Sequence, residues 1–236
     1  MLLALGLPTL VVLLVLPGLA RRRALARLAA RTFLRMVGLK LEVRHLGRLP
    51  NAQCILVSNH ASYLDGLVYT AALPPRFGFV IKREMRRVPL AGLLLRRIGS
   101  EFVERFNRHK SGADARRLLR AAKNGDSLAF FPEGTFAPTR GLLKFHTGAF
   151  VVAARSGCTV VPATIRGTRV ALPAGSILLH PGRLIIEVLP PLAAPNSSLE
   201  SAAQELRERA RAVILANLGE PDLTATSTAA SMAREA

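Results

Sequence analysis

Short apolar runs that each stop abruptly at a polar or proline-containing cluster recur along this chain. Cys54 to Val57 stops at Ser58-Asn59-His60, and Phe77 to Ile81 at Lys82. Leu128 to Phe131 stops at Pro132-Glu133-Gly134, Val160-Val161 at Pro162, and Leu184 to Leu189 at Pro190-Pro191. Leu39, Leu41 and Val43 alternate with polar residues, as a half-buried strand does. Stretches of helical periodicity lie between: Leu67–Leu73, Leu90–Ile98, Ala113–Ala122, Gly148–Arg155 and Leu199–Leu218. Fully apolar strands need cover on both faces, and intervening helices supply it. The pattern predicts an α/β domain over residues 38–218: a layered α/β/α arrangement with a largely parallel mixed sheet. The polar clusters follow the C-terminal ends of strands, where open α/β sheets hold their ligands. Residues 219–236 are rich in Ala, Ser and Thr without apolar period and read as a disordered tail.

The first 37 residues form a separate segment. Met1 to Ala20 carries no ionisable side chain, and Arg21-Arg22-Arg23 follows directly. Twenty helical residues span roughly 30 Å, the thickness of a bilayer's hydrocarbon. Gly18-Leu19-Ala20 also has the small-x-small look of a signal cleavage site. Pro8, Pro17 and Gly18 weaken a helix over this run, so a tilted or re-entrant segment is the alternative to a full span. Arginines placed after the apolar run, with none before it, favour a retained anchor or membrane-inserted segment with the rest of the chain on the cytoplasmic face. From Arg21 to Val37 the residues Leu25, Leu28, Phe33, Leu34 and Val37 recur near helical spacing, with Arg21, Arg27, Arg31 and Arg35 between them. Such a basic amphipathic helix beside an anchor reads as lying on an anionic leaflet; an ordinary surface helix is the alternative.

Charge narrows the partners. There are 33 Lys+Arg against 15 Asp+Glu, a net +18, and residues 76–123 alone carry +10. An anionic membrane surface, phosphorylated substrates or a polyanion would suit it. Trp is absent and Tyr occurs twice, which speaks against a base-stacking platform and a nucleic-acid partner. Cys54 and Cys158 are far apart and form no CxxC pair, as in a reducing compartment. There is no P-loop, no GxGxxG and no Cys/His zinc spacing, so neither a cofactor nor a metal is expected.

Two clusters can carry chemistry. His60 and Asp65 are about 140° apart on a continuous helix and cannot share a face. With His60 in a loop and Asp65 in the next helix's first turn, the carboxylate can accept from Nδ1–H and leave Nε2 as a general base. A structural histidine with a capping aspartate fits the same spacing. A serine hydrolase using Ser58 or Ser62 lacks a GxSxG elbow. In Phe130-Phe131-Pro132-Glu133-Gly134-Thr135 an apolar strand breaks at proline and then offers a carboxylate, a glycine N–H and a hydroxyl to an anion or polar head; a tight turn is the alternative.

In order and spacing these clusters resemble the motifs of the lysophosphatidic acid acyltransferase family. Asn59-His60-x-Ser62-x-x-Asp65 is similar to its first block, NHxSxxD. Lys82-Arg83-Glu84 with Pro89, Gly92 and Gly99 resembles the stretch that follows. Gly99 to Arg105 resembles the second block, which ends in a phosphate-binding arginine. Phe131 to Thr135, extended through Phe136, Gly141-Leu142, Phe145 and Gly148-Ala149-Phe150, resembles the third. Val161-Pro162-Ala163-Thr164 resembles the fourth. The chain departs from the family at His146, where lysine is frequent, and in the fourth block, which lacks a second proline.

The resemblance covers about Leu39 to Leu189 and implies a glycerolipid acyltransferase fold. It implies acyl transfer from acyl-CoA or acyl carrier protein, as co-substrate, to a lysolipid hydroxyl. His60 would be the base and Asp65 its orienting partner. Arg105 would hold the acceptor phosphate and Lys82 would add positive charge. Glu133, Gly134 and Thr135 would position the glycerol end. Asn59, Ser62, Pro132 and Pro162 would support them. The acceptor would be a membrane lipid, 1-acylglycerol-3-phosphate or another lysolipid such as an amino-acid lipid or glycolipid intermediate.

Overall fold

A computed structural model describes residues 2–104 and 108–224. The elements run α1 (Leu2–Val15), α2 (Leu19–Met36), β1 (Leu39–Arg44), β2 (Cys54–Ser58), α3 (Asp65–Ala72), β3 (Phe77–Lys82), α4 (Ala91–Arg97) and β4 (Glu101–Val103). They continue as α5 (Arg108–Lys123), β5 (Ser127–Phe130), α6 (Gly148–Ser156), β6 (Thr159–Arg166), α7 (Thr168–Ala171), β7 (Gly182–Val188) and α8 (Leu199–Leu218).

The strands form one sheet in the order β1-β7-β6-β2-β5-β3-β4, parallel at every pairing except β6 with β7. The predicted mixed, mostly parallel sheet is therefore present. Every residue of its central strands, β2 and β5, is buried. Phe33 and Leu34 of α2 and Val68 and Tyr69 of α3 pack on one face with Leu56 and Val161. Leu118, Phe150, Leu206 and Ile214 of α5, α6 and α8 pack on the other with Ile55, Val57 and Val160. From β2 the chain crosses over one face through α3, whereas from β5 it crosses over the other through α6. The crossovers thus leave the adjacent parallel strands β2 and β5 for opposite faces, the topology that places a crevice at their C-terminal ends.

Three expectations are corrected. The β6 strand does not end at Pro162 but runs through it to Arg166. The Pro162 carbonyl accepts from Leu189 N–H (2.9 Å), so the missing proline N–H falls on the same side, where Pro190-Pro191 already interrupts the ladder. The domain does not stop at Leu218. Leu142 pairs with Asp222 as a parallel bridge, so residues 219–224 belong to the packed body.

The apolar N-terminus is not one span. Pro17 and Gly18 (φ 81°) separate α1 from α2, and α1 with its 14 residues is about 21 Å long. Among the described residues no helix is long and apolar enough to cross a membrane. The α2 helix spends its apolar side on the domain, burying Ala26, Ala30, Phe33 and Leu34. Its arginines hold the domain too. Arg27 and Arg31 donate to the carbonyls of Ala72 (3.1 Å) and Ala71 (2.8 Å), capping the end of α3.

Arg23 is not presented to a leaflet: it is buried and donates to the carbonyls of Ile98 (3.0 Å) and Arg76 (3.2 Å) and to Asp126 (2.7 Å). Arg23→Met would orphan these acceptors together, and we expect it to lower unfolding free energy by about 3 kcal/mol, read by chemical denaturation.

Candidate active site

The loop 59–64 leaves β2 and curls until Asp65 opens α3. Asp65 is inaccessible, and its Oδ2 collects three donors: Ala61 N–H (2.6 Å), Ser62 N–H (3.0 Å) and the His60 ring through Nδ1 (2.7 Å). With two N–H groups already on it, Oδ2 is the acceptor, so Nδ1 carries the hydrogen and Nε2 keeps its lone pair. The Oδ1 atom is buried without a hydrogen-bond partner. The aspartate thus gathers the loop that precedes α3 and orients the histidine, and it makes no capping hydrogen bond to its own helix.

The His60 side chain is 18% exposed, enough to be reached from the crevice. Its ring stacks on Phe131 (centroids 4.5 Å, 18°) and meets the edge of Phe136 (4.9 Å, 71°), which in turn meets Tyr63 (4.9 Å, 84°). Of this aromatic wall the sequence reading uses Phe131 and Phe136 only as motif positions and Tyr63 not at all.

The loop from β5 faces the loop from β2. Phe131 O accepts from Gly134 N–H (3.0 Å), closing a turn in which Gly134 has φ 74°. That N–H is therefore committed within the turn rather than offered to an anion. Pro132 is buried, and its carbonyl accepts from His146 N–H (2.8 Å). Glu133, also buried, reaches across: Oε1 accepts from His60 N–H (2.6 Å) and Oε2 from Leu143 N–H (2.9 Å). The carboxylate ties the two loops together. Burial pushes its pKa up to about 7, against those two hydrogen bonds and nearby Arg169. Thr135 is exposed beside this turn.

The supporting residues act through the backbone. Asn59 grips β6, its Nδ2 donating to Ile165 O (3.0 Å) and its Oδ1 accepting from Ile165 N–H (2.8 Å). Ser62 Oγ donates to Leu172 O (2.7 Å), and Ser58 Oγ donates to Asn59 O (3.1 Å) while accepting from Tyr69 (2.7 Å). Both serines are inaccessible, so neither is set as a nucleophile. Lys82 closes β3, two strands from β2, and pairs with Glu84 (3.2 Å). Arg105 lies outside the described residues. Among the described residues no three His, Cys, Asp or Glu side chains gather as a metal would need.

A histidine oriented by a carboxylate at a switch-point crevice is the arrangement the motif order anticipates. The sequence profile of the Acyltransferase family matches residues 40–166. This chain belongs to the lysophosphatidic acid acyltransferase family. It is 32% identical over 226 residues to a lyso-ornithine lipid O-acyltransferase of Pseudomonas aeruginosa, covering 87% of this chain and 81% of that one. It is 29% identical to the 1-acyl-sn-glycerol-3-phosphate acyltransferase of Escherichia coli K12 (79% and 76% covered). A chloroplastic 1-acyl-sn-glycerol-3-phosphate acyltransferase of Brassica napus is 35% identical over 60% of this chain. The chain spans about two fifths of the length of such chloroplast relatives, 42% and 40% in two of them. The crystal structure of the 1-acyl-sn-glycerophosphate acyltransferase of Thermotoga maritima shares the fold, with a TM-score of 0.70 at 22% identity over 89% of this chain and 88% of that one.

The raised Glu133 pKa has a signed consequence. Its contribution to stability is full below the ordinary carboxylate range and is lost as pH rises to about 7. Glu133→Gln removes this dependence, so its stability relative to the parent should be more favourable at pH 8 than at pH 4.5 by denaturant titration.

Proposed function

We propose that this protein is a membrane-associated O-acyltransferase. It moves a fatty acyl chain from acyl-CoA or acyl carrier protein to the free hydroxyl of 1-acylglycerol-3-phosphate, giving phosphatidic acid for phospholipid synthesis. The His60–Asp65 pair carries this reading: an accessible ring whose Nδ1 is committed to a buried carboxylate and whose Nε2 is free.

The acceptor hydroxyl attacks the thioester carbonyl carbon while His60 Nε2 takes its proton, and Asp65 stabilises the resulting imidazolium. The tetrahedral adduct collapses, the carbon–sulfur bond breaks, and the imidazolium returns the proton to the departing sulfur. An ester and a free thiol result, with no acyl-enzyme. Arg105 holds the acceptor phosphate, Lys82 adds positive charge, and Thr135 with the Gly134 turn lines the acceptor's polar end. His60→Ala should abolish thiol release from acyl-CoA in the presence of lysophosphatidic acid. Asp65→Asn should lower kcat by a factor on the order of 10²–10⁴. Activity retained in His60→Ala overturns the mechanism.

A second acceptor is favoured by one observation: a relative that matches 87% of this chain is named for a lyso-ornithine lipid. The same His60 and Asp65 would serve. Parallel assays with lysophosphatidic acid and lyso-ornithine lipid decide between the two acceptors.

Membrane contact at the cytoplasmic face is assigned to α1. Val11, Val12, Leu14 and Val15 are 44–78% exposed on a helix otherwise docked through Leu13, an apolar patch that the hydrocarbon of a leaflet would cover. Val11→Glu with Val15→Glu should cut sedimentation with phosphatidylglycerol-containing vesicles and leave thiol release with a water-soluble short-chain acceptor intact. Unchanged sedimentation would remove α1 from that role.

A further inference from the structure

The residues beyond α8 turn back onto the loop that follows Glu133. Gly219 ends the helix in the left-handed region (φ 71°). Glu220 then accepts from Gly141 N–H (2.8 Å), and Pro221 O from Leu142 N–H (2.9 Å). Gly141 has no space for a side chain, because a Cβ there would overlap Leu223.

The peptide joining Leu142 and Leu143 is held at both ends. Its carbonyl accepts from Leu223 N–H (3.1 Å) and from Arg211 Nη2 (3.1 Å). Its N–H donates to Glu133 Oε2 (2.9 Å), the carboxylate whose other oxygen holds His60 N–H (2.6 Å). Arg211 also donates to Leu143 O (3.1 Å) and pairs with Asp222 through two nitrogens (2.9 and 2.5 Å). A peptide unit is planar and rigid, so fixing its carbonyl fixes the direction of its N–H. The guanidinium fork suits two carbonyls and a carboxylate at once, a geometry that a lysine cannot copy.

We infer that Arg211 and Asp222 are positioning residues for His60, acting through the Leu142–Leu143 peptide and Glu133. The kinetic side of this inference rests on the acyltransferase reading. Arg211 is 68 and 69 residues from the carbonyls it holds, and it touches neither His60 nor Asp65. Its influence travels through a defined series of hydrogen bonds. Asp222, held well below the usual carboxylate range by Arg211 and Thr224, remains a charged partner for the fork.

The test compares Arg211→Lys, which keeps the charge and loses the fork, with Arg209→Ala, whose side chain pairs with Glu205 on the exposed side of the same helix. We expect Arg211→Lys to lower kcat about tenfold with acceptor KM unchanged, as a small misplacement of a catalytic group does. Amide exchange in a peptide spanning residues 59–64 should quicken in Arg211→Lys and not in Arg209→Ala. Losing the Leu143 donor also favours the protonated form of Glu133, which faces His60, Asp65 of α3 and Arg169 of α7. The acid limb of kcat should therefore move to higher pH. Where Arg211→Lys does not fold, Asp222→Asn carries the same comparison.

Unchanged exchange over residues 59–64, or activity that falls only with the folded fraction, overturns the inference. If exchange quickens while the parent protein releases no thiol with any acceptor, the coupling stands and the acyltransferase reading fails.

Discussion

Two loops that leave adjacent parallel strands have no ladder between them, because β2 and β5 end where the crevice begins. Their relative position must come from other bonds, and a buried carboxylate supplies them. Glu133 binds a backbone N–H of each loop, and Asp65 does the same within the first loop by gathering Ala61 and Ser62 onto one oxygen. Buried carboxylates are costly unless hydrogen-bonded, so each holds the loop it touches in one shape. The free energy that burial takes from Glu133 reappears as order at His60.

The strongly basic composition takes on a different meaning in this light. Several arginines serve the backbone: Arg23 at Ile98 and Arg76, Arg27 and Arg31 at the end of α3, Arg211 at Leu142 and Leu143. A planar fork that never loses its charge can satisfy carbonyls that helix and loop ends leave open. The positive charge legible in the sequence is thus partly structural, and the share left for anionic lipid or phosphate is smaller than the net charge suggests.

The alternation of apolar runs and helical stretches was enough to read the layered sheet, because buried strands must be apolar on both faces. Elements set by tertiary contact were not legible. Glu101–Val103 is three residues long with a charged end, and Thr168–Ala171 is a single turn. Pro162 reads locally as a stop, and only the interrupted neighbouring strand explains why it is tolerated. At the N-terminus Pro17 and Gly18 mark the weak point of the apolar run where the helix breaks, but nothing local reveals that Arg23 has partners 53 to 103 residues away. His60 and Asp65 were readable because their pairing is short-range. Glu133 was readable as a site residue but not in its bonding, and Arg211 and Asp222 carry no local signal.

The split between what shapes the crevice and what lines it bears on how such a chain can change. Loop shape is fixed by backbone groups bonded to Glu133, Pro132, Asn59 and Asp65, whereas Tyr63, Thr135 and Phe136 sit on those loops without shaping them through any of these bonds. Exchanging the latter alters the texture of the crevice while the base stays in register. An ancestral chain of this kind could drift from one acyl acceptor to another through neutral steps. A library confined to those three positions would explore acceptor range without spending its members on unfolded protein.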